Sequence, residues 1–319
     1  MKKVVTWSPS LTLVPTHGCF NACGYCSFRA APAPDDPLAD ALTDHQAERL
    51  LVDSPRAGEV LLLSGEVPPS SPYRRRWFGR LIALSRLALR HGRLPHTNAG
   101  PLSLQEMAAL GRLNPSMGLM LEGLGAAFDA LHRHAPSKAF PVRMAQLEQA
   151  GRLGIPFTTG LLLGVGESRS DRQAALQLLA TIQRRWGHLQ EVILQPWRPR
   201  GVPAQPLEPT DVDDLLTTIA EARSILPAEV HLQLPPNLWP LPRLVDALEA
   251  GIDDLGGIDA VDVINPSYGQ PRPDRLADRL ARAGWLLRPR LCVHQAWLAC
   301  LPPSLRQQAE TLRQQLECC

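Results

Sequence analysis

Residues 11–26 read Leu11-Thr12-Leu13-Val14-Pro15-Thr16-His17-Gly18-Cys19-Phe20-Asn21-Ala22-Cys23-Gly24-Tyr25-Cys26. A short β-rich run, Leu11 to Pro15, closes on the polar phrase His17-Gly18 and delivers three cysteines into one loop. Their spacing is C-x3-C-x2-C, with an aromatic residue just before the last. Three thiolates on one short loop can bind three irons of a 4Fe-4S cubane and leave the fourth iron open. An open coordination position points to catalysis. Structural zinc takes four protein ligands, commonly as paired C-x2-C units, and no second pair lies within reach. The chain has seven cysteines, an odd number, and three crowded into residues 19–26 make a poor disulfide framework. Cys292 and Cys300 are spaced too widely to complete a zinc site and read as packing thiols. Cys318 and Cys319 end the sequence on a tail.

Outward from this loop, a β-rich run, a polar or glycine-rich phrase and a stretch of helical spacing recur about eight times. The expected strands are Leu11 to Pro15, Val60 to Leu63, Leu94 to His96, Met117 to Leu121, Phe157 to Leu163, Glu191 to Leu194, Val230 to Leu234 and, most weakly patterned, Val261 to Ile264. Thr43 to Gln46 and Ser103 to Glu106 have capping-box form, so helices should start there. Strand–helix alternation implies a parallel sheet. Residues able to do chemistry follow the strands: His17-Gly18-Cys19, Ser64-Gly65-Glu66, Thr97-Asn98, Glu122, Gly164 to Glu167, Gln195-Pro196, Pro236-Asn237 and Asn265-Pro266. In a parallel barrel those ends converge on one face, where such folds build active sites. The fold expected is α/β, a parallel (β/α) TIM-like barrel of six to eight units with a short helical C-terminal segment. An open doubly wound sheet would also gather strand ends on one side. The barrel should occupy residues 1–265, with 266–319 packed on it rather than forming an independent domain.

Hydrophobic residues make up 45% of the 319 and charged residues 20%, enough for a sizeable core. Lys and Arg total 33 against 31 Asp and Glu, and the net charge of +2 provides no strong field for nucleic acid or an anionic membrane. Arg74-Arg75-Arg76 reads as a solvated helix start. No run reaches the roughly 18 apolar residues that span a bilayer. The start, Lys2-Lys3, leads into a run broken by Thr6, Ser8, Pro9 and Ser10 with no cleavage site, and a cytoplasmic protein is expected.

These residues resemble the radical S-adenosylmethionine (SAM) superfamily, whose signature is C-x3-C-x-aromatic-C after the first barrel strand. The resemblance implies that Cys19, Cys23 and Cys26 hold one 4Fe-4S cluster and that SAM chelates the open iron, with Tyr25 near the adenine. Ser64-Gly65-Glu66 looks like the Gly-Gly-Glu phrase that receives the methionine amine, with Ser64 departing from the usual glycine. Glu122 falls where the family often places a ribose ligand, and Arg143 where related barrels place an arginine for the SAM carboxylate. A guanidinium suits that task through two parallel hydrogen bonds. Gly160, Leu162, Gly164 and Glu167 lie in the phrase resembling the adenine-contact pattern G-x-I-x-G-x-x-E. Either of Glu122 and Arg143 taken alone reads equally as a surface ion.

A closer resemblance, to the CofG-type FO synthase family, spans almost the whole chain. It is carried by Cys23-Gly24-Tyr25-Cys26, Leu63 to Pro68, Leu94 to Pro101, Ser116 to Glu122, His132 to Lys138, Ile155 to Gly160, Glu191 to Pro196, Pro235 to Leu238 and Asp254 to Gly257, and is looser over Val261 to Gln270. It implies completion of the deazaflavin ring of FO from a hydroxybenzyl-ribityliminouracil adduct, by radical hydrogen abstraction, cyclisation and loss of ammonia. The adduct would come from a separate CofH-type enzyme, and the electron from a donor such as ferredoxin or flavodoxin. His96, Thr97, Asn98, Gln195 and Asn237 are the expected substrate ligands, since a uracil-like ring and ribityl hydroxyls present donors and acceptors. A strand-end His or Asn also commonly serves only loop backbone, and Lys138 and Arg133 read equally as surface charges. Two other readings stay open: a menaquinone-pathway or biotin-synthase-like radical SAM enzyme, and a non-catalytic iron-sulfur protein.

Overall fold

A computed structural model describes residues 3–33, 36, 38–199 and 204–317. The strands are β1 (Lys3–Leu13), β2 (Glu59–Leu63), β3 (Leu94–Asn98), β4 (Ser116–Gly118), β5 (Phe157–Leu163), β6 (Leu189–Pro196), β7 (His231–Gln233), β8 (Asp254–Ile258) and β9 (Trp285–Pro289). The helices are α1 (Asp44–Asp53), α2 (Arg74–Arg90), α3 (Leu104–Gly111), α4 (Ala126–Leu131), α5 (Phe140–Arg152), α6 (Arg169–Trp186), α7 (Pro209–Ile225), α8 (Leu244–Ala250), α9 (Pro273–Arg282) and α10 (Pro303–Glu317). All strand pairings are parallel, in the order β2-β3-β4-β5-β6-β7-β8-β1, and β1–β2 pairing closes the ring. The fold is therefore a closed (β/α) barrel of eight strands, not an open sheet.

Strand β1 is long because three neighbours share it. Ser10 to Leu13 pair with β2, Thr6 to Pro9 with β8, and Lys3 to Trp7 with β9, which lies outside the ring. It begins at Lys3 rather than Leu11, so the polar-interrupted stretch through Ser10 is strand after all. Alternation then assigns faces. Outward-facing Leu11, Leu13, Val60 and Leu62 bury against Ala47 and Leu51 of α1 and Leu84, Leu87 and Ala88 of α2. Each fully buried leucine contributes roughly 1.5–3 kcal/mol. Inward-facing Ser10, Thr12, Glu59 and His96 instead line the barrel interior, interleaved with Leu61, Leu63 and Ile193. The apolar core thus sits between strands and helices, leaving the inside for chemistry.

Both expected capping boxes are present, Thr43 with Gln46 before α1 and Ser103 with Glu106 before α3. A third, Ser168 with Asp171, starts α6. Helix α2 begins at Arg74, yet that residue is not simply solvated. Its guanidinium pairs with Glu106 (2.7 Å), reaches the Pro101 carbonyl (2.9 Å) and stacks over Trp77.

The eighth strand is Asp254–Ile258, and Val261 to Ile264 is a loop over the cavity. There Asp262 accepts from the amides of Ile264 and Asn265, a local turn that competes with strand pairing. The true strand hid behind its glycines. Gly256 has φ +74, a conformation that strains other residues, and a Cβ there would displace the Gln233 side chain. Residues 266–319 hold helices α9 and α10 but also β9. Beyond β9 the chain turns under the N-terminal ends of the barrel strands, where Leu291, Cys292, Val293, Trp297 and Leu298 pack with Leu94. Cys292 is buried as a packing thiol should be, whereas Cys300 is exposed. Cys318 and Cys319 lie outside the described residues. No helix among the described residues is long and apolar enough to cross a membrane.

Candidate active site

The cysteine loop leaves the C-terminal end of β1 and is pinned on several sides. Gly65 donates to Thr16 (2.7 Å), Phe20 to the Glu66 carbonyl (3.1 Å) and Ala22 to the His134 carbonyl (2.7 Å). Gly65 has no room for a side chain, because a Cβ would lie 2.2 Å from the Gly18 carbonyl oxygen. Cys19, Cys23 and Cys26 are all free thiols, Cys23 buried and the other two partly exposed. Burial pushes the Cys23 thiol up to about 11, against the opposing Lys138 charge, and burial with the Glu66 charge also raises Cys19. Such thiols are poor nucleophiles by themselves, and a bound cation is what would hold them as thiolates.

Asn21, which the sequence reading did not select, is the hub of this corner. Its amide nitrogen reaches Ser137 Oγ (2.7 Å), Glu66 Oε2 (3.0 Å) and, more loosely, Cys19 Sγ (3.8 Å). Glu66 in turn meets Arg143 Nη2 at 3.2 Å. Arg143, on α5, has a side chain only 2% exposed, and its Nε has no hydrogen-bond partner among the described residues. A buried guanidinium with a long ion pair and an orphaned N–H is suited to a further carboxylate.

Glu122 follows β4 at φ 73, the non-glycine residue with positive φ among those described. Tyr25 donates to its Oε2 at 2.5 Å, His132 Nε2 to the same oxygen at 2.7 Å, and the Lys138 ammonium to Oε1. Burial works to raise this carboxyl's pKa, but Lys138, the His132 hydrogen bond and Arg143 outweigh it and hold the group well below the usual carboxylate range. Burial, then the Glu122 charge, raises the Tyr25 phenol, so Tyr25 stays a donor. Lys138 is thus no surface ion. Arg133 is exposed. Nothing local in the sequence pairs His132 and Lys138 with Glu122; only the His132 to Lys138 phrase marked the segment.

Three expected ligands face elsewhere. Ser64 Oγ bonds the Gly65 carbonyl and accepts from Trp77 Nε1, leaving only its backbone toward the mouth. The Glu167 carboxylate accepts from the amides of Gly164 and Val165 (both 2.8 Å) and pairs with Arg172 (2.7 Å). It folds the loop, whose Gly164 and Gly166 have φ of 92 and 103, rather than offering itself to a ligand. Thr97 points out of the barrel and donates to Asn114 (2.7 Å), because its neighbours His96 and Asn98 take the inward positions. Gly160 lies on the inward face, where a Cβ would strike the Ile193 carbonyl oxygen at 2.4 Å, and Leu162 follows two residues on. His96, Asn98, Gln195 and Asn237 all line the barrel cavity, with Asn237 Nδ2 held by Asp262 at 2.8 Å.

Three free thiols on one loop, beside a buried arginine with unused valence, fit a 4Fe-4S cluster with an open iron and an amino-acid-bearing ligand. The wider comparison agrees. Residues 13–179 match the Radical SAM superfamily. The 7,8-didemethyl-8-hydroxy-5-deazariboflavin synthase of Synechococcus elongatus is 50% identical over 305 residues, 95% of this chain and 90% of that one. The synthase of the same name from Gloeobacter violaceus is 51% identical over 296 residues, 92% of this chain and 91% of its own. Among solved structures, the FeFe-hydrogenase maturase HydG from Carboxydothermus hydrogenoformans superposes with a TM-score of 0.71 over 97% of this chain and 77% of that one, at 16% identity. That likeness is one of fold. The chain belongs to the radical SAM superfamily and, within it, to the family of 7,8-didemethyl-8-hydroxy-5-deazariboflavin synthases.

Proposed function

We propose that this protein completes the deazaflavin ring of FO from a hydroxybenzyl-ribityliminouracil adduct, acting as an ammonia-releasing lyase. The observation that carries the reading is identity of about half the residues, over nearly the full length, with synthases of that name. When bound, one 4Fe-4S cluster and SAM supply the 5'-deoxyadenosyl radical that takes hydrogen from the adduct. Cys19, Cys23 and Cys26 hold the cluster. Arg143 receives the SAM carboxylate through its free N–H, Glu66 and the Ser64-Gly65 backbone the amine, and Glu122 the ribose, with Tyr25, Gly160, Leu162 and the Gly164 to Glu167 loop shaping the adenine pocket. His96, Asn98, Gln195 and Asn237 contact the adduct. The barrel wall, whose cavity lining mixes these polar groups with Leu61, Leu63, Met120 and Ile193, limits the access of bulk water to the reacting centre.

The adduct is supplied by a separate CofH-type enzyme. A ferredoxin or flavodoxin supplies the electron. Residues 1–265 form the barrel domain and 266–319 belong to it, as the strand β9 and the floor packing support. The free thiols suit a reducing cytoplasm.

Anaerobic incubation of the reduced, cluster-reconstituted protein with SAM and the adduct tests this. Deoxyadenosine and fluorescent deazaflavin should appear together, and both should vanish in Cys23→Ala. Deoxyadenosine without deazaflavin would remove the substrate.

A further inference from the structure

His96 is buried in the cavity wall on the inward face of β3. Its Nδ1 lies 2.7 Å from Ser116 Oγ, and Ser116 Oγ lies 2.8 Å from the Cys292 carbonyl oxygen. A carbonyl oxygen only accepts, so the Ser116 proton is directed at Cys292. Gln190 Nε2 donates to the same oxygen at 2.9 Å and keeps it aimed. Ser116 therefore turns a lone pair to the imidazole, and Nδ1 carries the hydrogen. Burial, with the Arg290 charge added, lowers the His96 pKa to about 3, so the ring is neutral. Nε2 is then bare, and it has no donor among the described residues. Gly118, across the cavity wall on β4, keeps the nearby space clear, since a Cβ there would lie 2.8 Å from Nε2.

We infer that His96 is a hydrogen-bond acceptor of fixed polarity, whose Nε2 receives an N–H or O–H of the substrate, with Ser116 and the Cys292 carbonyl as positioning groups. The identity of that substrate as the adduct rests on the deazaflavin reading. The fixed tautomer does not. The floor segment, remote in sequence from every SAM-motif residue, thereby sets the polarity of a group in the substrate cavity.

Histidine-labelled NMR of the wild-type holoenzyme at neutral pH should show an Nδ1–H, bare-Nε2 tautomer in the resonance that disappears in His96→Gln, and Ser116→Ala should give a mixture of tautomers. An Nε2–H signal would overturn the inference. In turnover with SAM and the adduct, His96→Leu should lower kcat/KM roughly 10- to 100-fold, as loss of a buried acceptor does. The SAM-induced change in the reduced cluster's EPR spectrum should persist. His96→Gln, which can present a carbonyl oxygen, should recover part of the loss. Wild-type kcat/KM in the Leu variant would sink the substrate contact. Wild-type enzyme that gives the expected tautomer but no deazaflavin would instead remove the adduct as substrate.

Discussion

Arg143 and Arg290 are both withdrawn from solvent, with side chains 2% and 10% exposed, at opposite ends of one barrel. At the floor, Arg290 grips Asp254 through Nε (2.5 Å) and Nη2 (2.6 Å), Glu191 through Nη2 (2.6 Å) and the Leu291 carbonyl through Nη1 (2.8 Å). At the mouth, among the described residues, Arg143 has one ion pair at 3.2 Å and an idle Nε. Charges that satisfy each other build structure, whereas charges left short of partners await a ligand. Glu191, Asp254 and His294 are close enough together to suggest a metal site, but Arg290 already supplies the cation.

The sharpest way to break this contrast is Arg290→Met, which strands Asp254 and Glu191 beneath the barrel. Breaking a buried pair in this way should cost about 3–5 kcal/mol in denaturant unfolding. A loss under about 1 kcal/mol would mean that the floor is not held by its charges.

Next in size is the pH dependence of Glu59, whose carboxyl burial raises to about 7, against the lowering influence of Arg290. A folded pKa above the ordinary value means that the native state keeps a proton the unfolded chain has lost. The resulting stability is fully present below about pH 4.5 and is lost as pH rises through about 7. Wild type should therefore lose on the order of 3 kcal/mol relative to Glu59→Gln between about pH 5 and pH 8. Parallel stability curves for the two proteins would place the charge elsewhere.

Smallest in stability is Arg143→Met, which should change unfolding by about 1 kcal/mol or less because so few bonds are lost. Its effect belongs to the ligand: SAM affinity should fall roughly 10- to 100-fold, and the stabilisation of the folded protein by added SAM should shrink with it. If Arg143→Met proved as destabilising as Arg290→Met with SAM affinity intact, mouth and floor would be alike.

The mouth was far more legible than the floor. Cys19 to Cys26, Glu66 and Glu122 each sit just after an expected strand, and strand ends in a parallel barrel must converge. Phe157–Leu163 was read with its true bounds because an aromatic, two β-branched threonines and three leucines make one continuous β-rich run, buried along its whole length. Asp254–Ile258 was missed because two glycines erase the β signal, while Val261 to Ile264 has strand composition but is held by Asp262 in a turn. Glu167 and Ser64 occupy motif positions, Ser64 in place of the usual glycine, yet their side chains turn to partners that spacing does not reveal.

By itself the sequence determined the alternation that makes the barrel, the helix starts at Thr43 and Ser103, and the three-thiol loop, because each is written in neighbours a few residues apart. Only the tertiary structure decided which charges are idle and which are matched. Arg143 meets Glu66 across 77 residues, Lys138 reaches Glu122 from the far side of α4, and Ser116 finds the Cys292 carbonyl 176 residues away. Partnership in a low-dielectric interior depends on a few ångströms of approach, and only ring closure fixes those distances.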